Sequence, residues 1–109
     1  MLIEITSIAS AYLRKKGSNV TLFMEKHYSS GGWGGGKQTV CTIPTVRAGQ
    51  PNEGESAEFL TCTVDGITVW YRPNVVPENE QNPIVIDAKK SLFFYMLEVN
   101  GAKQYVKTL

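Results

Sequence analysis

This 109-residue chain has few of the residues that usually announce a site. It holds only two cysteines, Cys41 and Cys62, and one histidine, His27. No Cys-x-x-Cys pair occurs, so the sequence offers no closely spaced metal or dithiol motif. Charge of one sign is also missing. A net charge of +1 gives no electrostatic case for nucleic acid or an anionic membrane surface. The longest apolar stretch, Leu92–Leu97, is far short of a membrane span. The opening residues alternate polar with apolar and include Glu4, which is not the pattern of a signal peptide. No complete catalytic motif is found. His27, Ser29 and Ser30 are neighbours without a third orienting group. Glu53 and Glu55 lie in a polar loop and read as solvated.

What the chain does have in quantity is glycine in one place. Gly31, Gly32, Trp33, Gly34, Gly35, Gly36 and Lys37 form a run between two strand-like segments, Asn19–Lys26 and Gln38–Val46. Such a run either connects a hairpin or lets a ligand or partner approach the backbone closely. We therefore take residues 31–37 as the candidate partner or ligand loop. Trp33 has two readings that stay open: folded onto the core, or exposed as an anchor. Gly31-x4-Gly36-Lys37 approaches a phosphate loop but fails, because Gln38 replaces the magnesium-binding hydroxyl and a strand pattern follows where a helix is needed.

At this length the chain is expected to be one domain, residues 1–109, burying about 65% of its unfolded surface. Leu2–Ile5 reads as a strand. Thr6 or Ser7 caps a helix over Ile8–Lys16, with Arg14, Lys15 and Lys16 facing its dipole and Gly17 stopping it. Val20, Leu22 and Met24 alternate with Thr21, Phe23 and Glu25, a strand with one buried face. Pro44 confines the next strand to an edge or a bend. Asp65-Gly66 between Glu58–Val64 and Ile67–Tyr71 is a hairpin signal. After Ile84–Ile86, Asp87 reads as the N-cap of a second helix, Ala88–Val99, with Leu92, Tyr95, Met96 and Val99 on one face. The competing reading is a strand holding Phe93, Phe94 and Tyr95. Lys103–Leu109 reads as a short strand. The expected class is α+β, mostly antiparallel strands with two α-helices.

The order of these pieces resembles the HesB/IscA-like domain of iron–sulfur assembly proteins over residues 2–99. Ile3–Gly17 resembles that family's opening strand and helix. Ser30-Gly31-Gly32-Trp33-Gly34 sits where the family carries a Ser-Gly-Cys-Ser-Gly turn. Val64–Val69 resembles its Asp-Gly hairpin, and Ile86-Asp87 the pair before its second helix. The resemblance implies a HesB-like (IscA-like) fold and a connection with iron–sulfur or sulfur metabolism. It does not carry the cluster ligands over. Gly32 stands where the family's first cysteine would be, and Lys103–Leu109 lacks its Cys-Gly-Cys. Iron in such clusters is held by thiolates, so the expectation is a cytoplasmic, non-enzymatic binding or accessory protein without a cofactor. Its partner would be a protein or a second copy, not nucleic acid or membrane. The alternative is a metal-binding or redox thiol protein, in which Cys41, Cys62 and His27 hold iron, an iron–sulfur cluster or zinc. Against it, both cysteines also read as small packed strand residues. The two are expected on neighbouring antiparallel strands or across one core.

Overall fold

A computed structural model describes residues 1–31 and 36–108. Strand β1 (Ile3–Ile5) leads into helix α1 (Ser7–Lys15), whose N-cap is Thr6. The Thr6 hydroxyl accepts the Ala9 amide at 3.3 Å, satisfying one of the free N–H groups of the first turn. Arg14 and Lys15 occupy the last turn, where the helix dipole favours cations. The long strands β2 (Asn19–Gly31) and β3 (Gly36–Ala48) pair antiparallel along their length and run further into the glycine segment than the sequence pattern suggested. Gly31 and Gly36 are the last pair, after a register shift beyond Ser29.

A 3-10 turn (Ser56–Glu58) precedes the hairpin of β4 (Leu60–Val64) and β5 (Ile67–Tyr71). Its turn residues, Asp65 and Gly66, have φ of 50° and 78°, the twofold positive φ that a type I′ connection demands. Then come β6 (Ile84–Lys90), β7 (Tyr95–Asn100) and β8 (Tyr105–Thr108). Two sheets result among the described residues: β1-β6-β7, and β4-β5-β2-β3-β8. In the larger sheet β8 reaches only Thr39–Thr42 and stops short of Pro44, so no β8 pairing is asked of the residue that lacks an N–H.

The core lies between the inner faces of the two sheets and α1. Ala9 and Leu13 of the helix meet Val20 and Leu22 of β2, Ile67 and Val69 of β5, and Ile84, Ile86 and Ala88 of β6. Period-2 alternation explains this face: Val20 pairs with Val69, so both point inward together.

The second helix expected over Ala88–Val99 is not formed. Residues 88–90 continue β6, Ser91–Phe94 turn, and Tyr95–Asn100 return as β7. The helical spacing of Leu92, Tyr95, Met96 and Val99 had no apolar face to dock. Leu92 is 88% exposed and Met96 58%. The pairs Ile86↔Val99 and Ala88↔Leu97 instead place strand residues beside the core; of the aromatic strand weighed as the alternative only Tyr95 is in β7, while Phe93 and Phe94 fall in the exposed turn before it. With one α-helix and two sheets, the two-helix α+β class and the HesB-like (IscA-like) fold are both set aside.

Candidate binding groove and the two thiols

The outer face of the larger sheet carries the alternate residues of its strands. Thr21 of β2 pairs with Arg47 of β3 and with Trp70 of β5, so these three share that face with Phe23. The segment after β3 packs back over it. Thr21 donates its hydroxyl to the Gly49 carbonyl at 2.7 Å, and the Trp70 indole N–H donates to Asn19 Oδ1 at 3.0 Å. Successive tight turns, Glu55 N–H to Asn52 O at 3.0 Å and Glu58 N–H to Glu55 O at 2.9 Å, then aim Asn52, Glu55, Glu58 and Phe59 at the sheet.

Between them lies a groove of about 280 Å³ lined by Phe23, Met24, Arg47, Asn52, Glu55, Glu58, Phe59 and Arg72. Each arginine lies over a ring. Arg47 Cζ is 5.6 Å from the Phe23 centroid, and Arg72 Cζ is 5.3 Å from that of Phe59. These distances are within cation–π reach, where the ring attracts the guanidinium while its N–H groups can still meet an anion. Arg72 is also paired with Glu58. Arg47 has no carboxylate within ion-pair distance among the described residues. Among the described residues, one unpaired cation, Arg47, and one unpaired acid, Glu55, thus stand beside apolar rings, while Arg72 is paired with Glu58. That combination suits a small ligand with an anionic group and a flat apolar part.

Sequence reasoning missed this groove. Its residues come from positions 23 to 72 with no recurrent spacing, and only the sheet register brings them together. The available signal was that Phe23 falls on the strand face opposite Val20 and Leu22.

The sequence-derived candidates are dispersed. Gly32, Trp33, Gly34 and Gly35 lie outside the described residues; Lys37 is exposed at the start of β3. Cys41 is on β3 and Cys62 on β4, with β2 and β5 between these strands. They are neither on neighbouring strands nor across one core. Cys62 pairs with Val69, which pairs with Val20, whereas Cys41 pairs with His27. The stretch of β2 from Val20 to His27 spans roughly 23 Å at about 3.3 Å per residue, and a disulfide needs Cα atoms within about 7 Å. Both cysteines are free. Burial raises the Cys62 thiol pKa. No cluster of three His, Cys, Asp or Glu side chains with metal-holding geometry occurs among the described residues. The structure does bring Cys41 and His27 together as directly opposed residues, and Glu25 Oε1 lies 3.0 Å from His27 Nε2.

Groove and sheets define a β-rich protein with one α-helix among the described residues. The chain belongs to the CC/Se motif containing family, whose sequence model matches residues 1–102. Neither cysteine has another beside it, so this chain holds no Cys-Cys pair. No curated protein and no solved structure matches it.

Proposed function

We propose that this is a cytoplasmic, non-enzymatic binding protein whose groove takes a small ligand bearing a carboxylate or similar planar anion next to an apolar ring or chain. The observation that carries the reading is Arg47, within cation–π reach of Phe23 and without an acidic partner among the described residues, at the wall of a groove whose other arginine is bound to Glu58. Bidentate pairing with Arg47 would fix the anion, and Phe23 and Phe59 would cover the apolar part. Two free thiols fit a reducing compartment. The test is titration with a panel of aromatic carboxylates, followed by amide shifts of Phe23, Arg47 and Phe59 and by the fluorescence of Trp70 on the same sheet face. Arg47→Met should weaken binding at least tenfold, or about 1.4 kcal/mol, with little change in stability. Binding that survives Arg47→Met rejects this reading.

A second reading has its own observation. His27 opposes Cys41, and Glu25 contacts the His27 ring. This narrows the thiol alternative from Cys41, Cys62 and His27 together to a Cys41–His27 pair, with Cys62 outside it. Cys41 would be the thiol that reacts or ligates, and Cys41→Ser, not Cys62→Ser, should abolish any zinc or iron uptake. Uptake lost only with Cys62→Ser would eliminate it.

A further inference from the structure

The hairpin joining β6 to β7 ends in a turn that turn chemistry does not explain. Ser91 N–H donates to the Phe94 carbonyl at 2.7 Å, leaving Leu92 and Phe93 as the two apex residues. Tight hairpin apices favour Gly, Asn and Asp, because these residues relieve backbone strain and hydrogen-bond locally. Here the apex is Leu-Phe, 88% and 93% exposed, followed by Phe94 at 56%. Neither folding of the turn nor core packing calls for large apolar residues at this point.

Behind the apex come two tyrosines and then cations. Tyr95 opposes Lys90 in the ladder, and its ring lies 5.5 Å from that of Tyr12 on α1. Lys16 Nζ is 5.7 Å from the Tyr12 ring centroid, and Lys15 lines a small cleft with Ile8, Tyr12 and Tyr95. Among the described residues, Lys15, Lys16 and Lys90 have no carboxylate within ion-pair distance. Of the acids nearby, Glu98 faces Lys89 at 3.5 Å and Asp87 accepts from Thr6, while Asp65 is held by its backbone carbonyl against Arg14 at the end of α1. The acidic loop with Glu78 and Glu80 is at the other end of β7, where Glu78 N–H donates to Gly101 O. That point is about 20 Å along the strand from Tyr95. A net charge of +1 thus hides a local separation of sign.

We propose that the Leu92-Phe93-Phe94 apex inserts into the headgroup boundary of an anionic lipid membrane, with Tyr12 and Tyr95 at the interface and Lys15, Lys16 and Lys90 against the headgroups. Apolar tip, amphipathic rings and cations stand in the order that a membrane surface presents their complements. The chain docks peripherally; no helix among the described residues is long and apolar enough to cross. A protein interface is the weaker fit, since three apex side chains fall short of the roughly 800 Å² per partner that stable complexes bury.

The test uses sedimentation with phosphatidylcholine vesicles, with and without phosphatidylserine. The wild-type chain should bind the phosphatidylserine vesicles, and binding should fall as salt rises. Leu92→Asn with Phe93→Gly supplies residues that tight turns accept, so the fold should persist while binding drops at least about tenfold. Lys15→Gln, Lys16→Gln and Lys90→Gln should each cost about fivefold on phosphatidylserine vesicles and nothing on phosphatidylcholine alone. Phe93→Ser gives a second, single-site check on the apex. Equal pelleting of the wild type and the apex variants overturns the proposal. So does a wild-type dimer, seen by sedimentation velocity, that the apex substitutions dissociate while vesicle binding is absent.

Discussion

The carboxylate of Asp87 accepts two hydrogen bonds, from the Thr6 hydroxyl at 2.7 Å and from the Ala88 amide at 2.8 Å. These bonds, the Thr6 one foremost, hold its pKa below the ordinary carboxylate value. The stability it lends is therefore present above the unfolded value of about 3.9 and is lost as pH falls through the lower folded one. Asp87→Asn should lower the urea midpoint at about pH 7 and make little difference at about pH 2, which denaturation at both pH values would reveal. Asp87 reads in the sequence as the N-cap of a helix over Ala88–Val99, but no helix starts there, and the amide it accepts from is that of the next strand residue. What the sequence did not show is that the helix it serves is α1, through Thr6, and not one starting at its own position. Cys62 is tuned at the same scale. Burial raises the Cys62 pKa, which lowers its thiolate fraction. Limited alkylation near neutral pH, read by peptide mass spectrometry, should modify Cys41 before Cys62.

At the scale of elements, the long loop between β5 and β6 is fastened to the end of β7. Glu78 N–H donates to Gly101 O at 2.8 Å, Lys103 N–H to Val76 O at 2.8 Å, and Pro77 bridges Ala102. Gly101 sits there with φ of 86°, and a Cβ on it would lie 2.7 Å from the Pro83 carbonyl oxygen. Gly101→Ala meets both backbone strain and a clash with main chain that cannot swing aside. It should cost about 1–3 kcal/mol in urea unfolding. Local elements bounded by such punctuation were readable in advance: α1 between Thr6 and Gly17, and the Asp65-Gly66 hairpin with β5 at Ile67–Tyr71. The stretch from Ala88 to Val99 was not. Leu92, Tyr95, Met96 and Val99 recur at helical spacing, yet Leu92 is spent on an exposed apex with Phe93, and strand pairing to β6 decides the rest. Periodicity reports a helix only when the periodic face is buried.

At the scale of the whole molecule, one buried cluster ties α1 to both sheets, and Ile86 stands in it fully buried. Ile86→Ala should remove about 2–5 kcal/mol and lower the melting temperature in a single transition. The groove of Phe23, Arg47, Phe59 and Arg72 was invisible in the sequence for a related reason. It depends on long-range register and on how the segment after β3 folds back, which no local pattern encodes.

The closing strand pair has a bearing on how the chain is made. β1 lies parallel to β6, and Thr6 reaches Asp87 across 81 residues of sequence. On a ribosome adding about 5–20 residues per second, Ile3–Ile5 must wait some 4–16 seconds for their partner to be synthesised. Until then the apolar side of α1 has only β2 and β5 to pack on and the opening strand lacks its ladder partner, and nascent chains halted before β6 should be the substrates that chaperones hold and proteases cut.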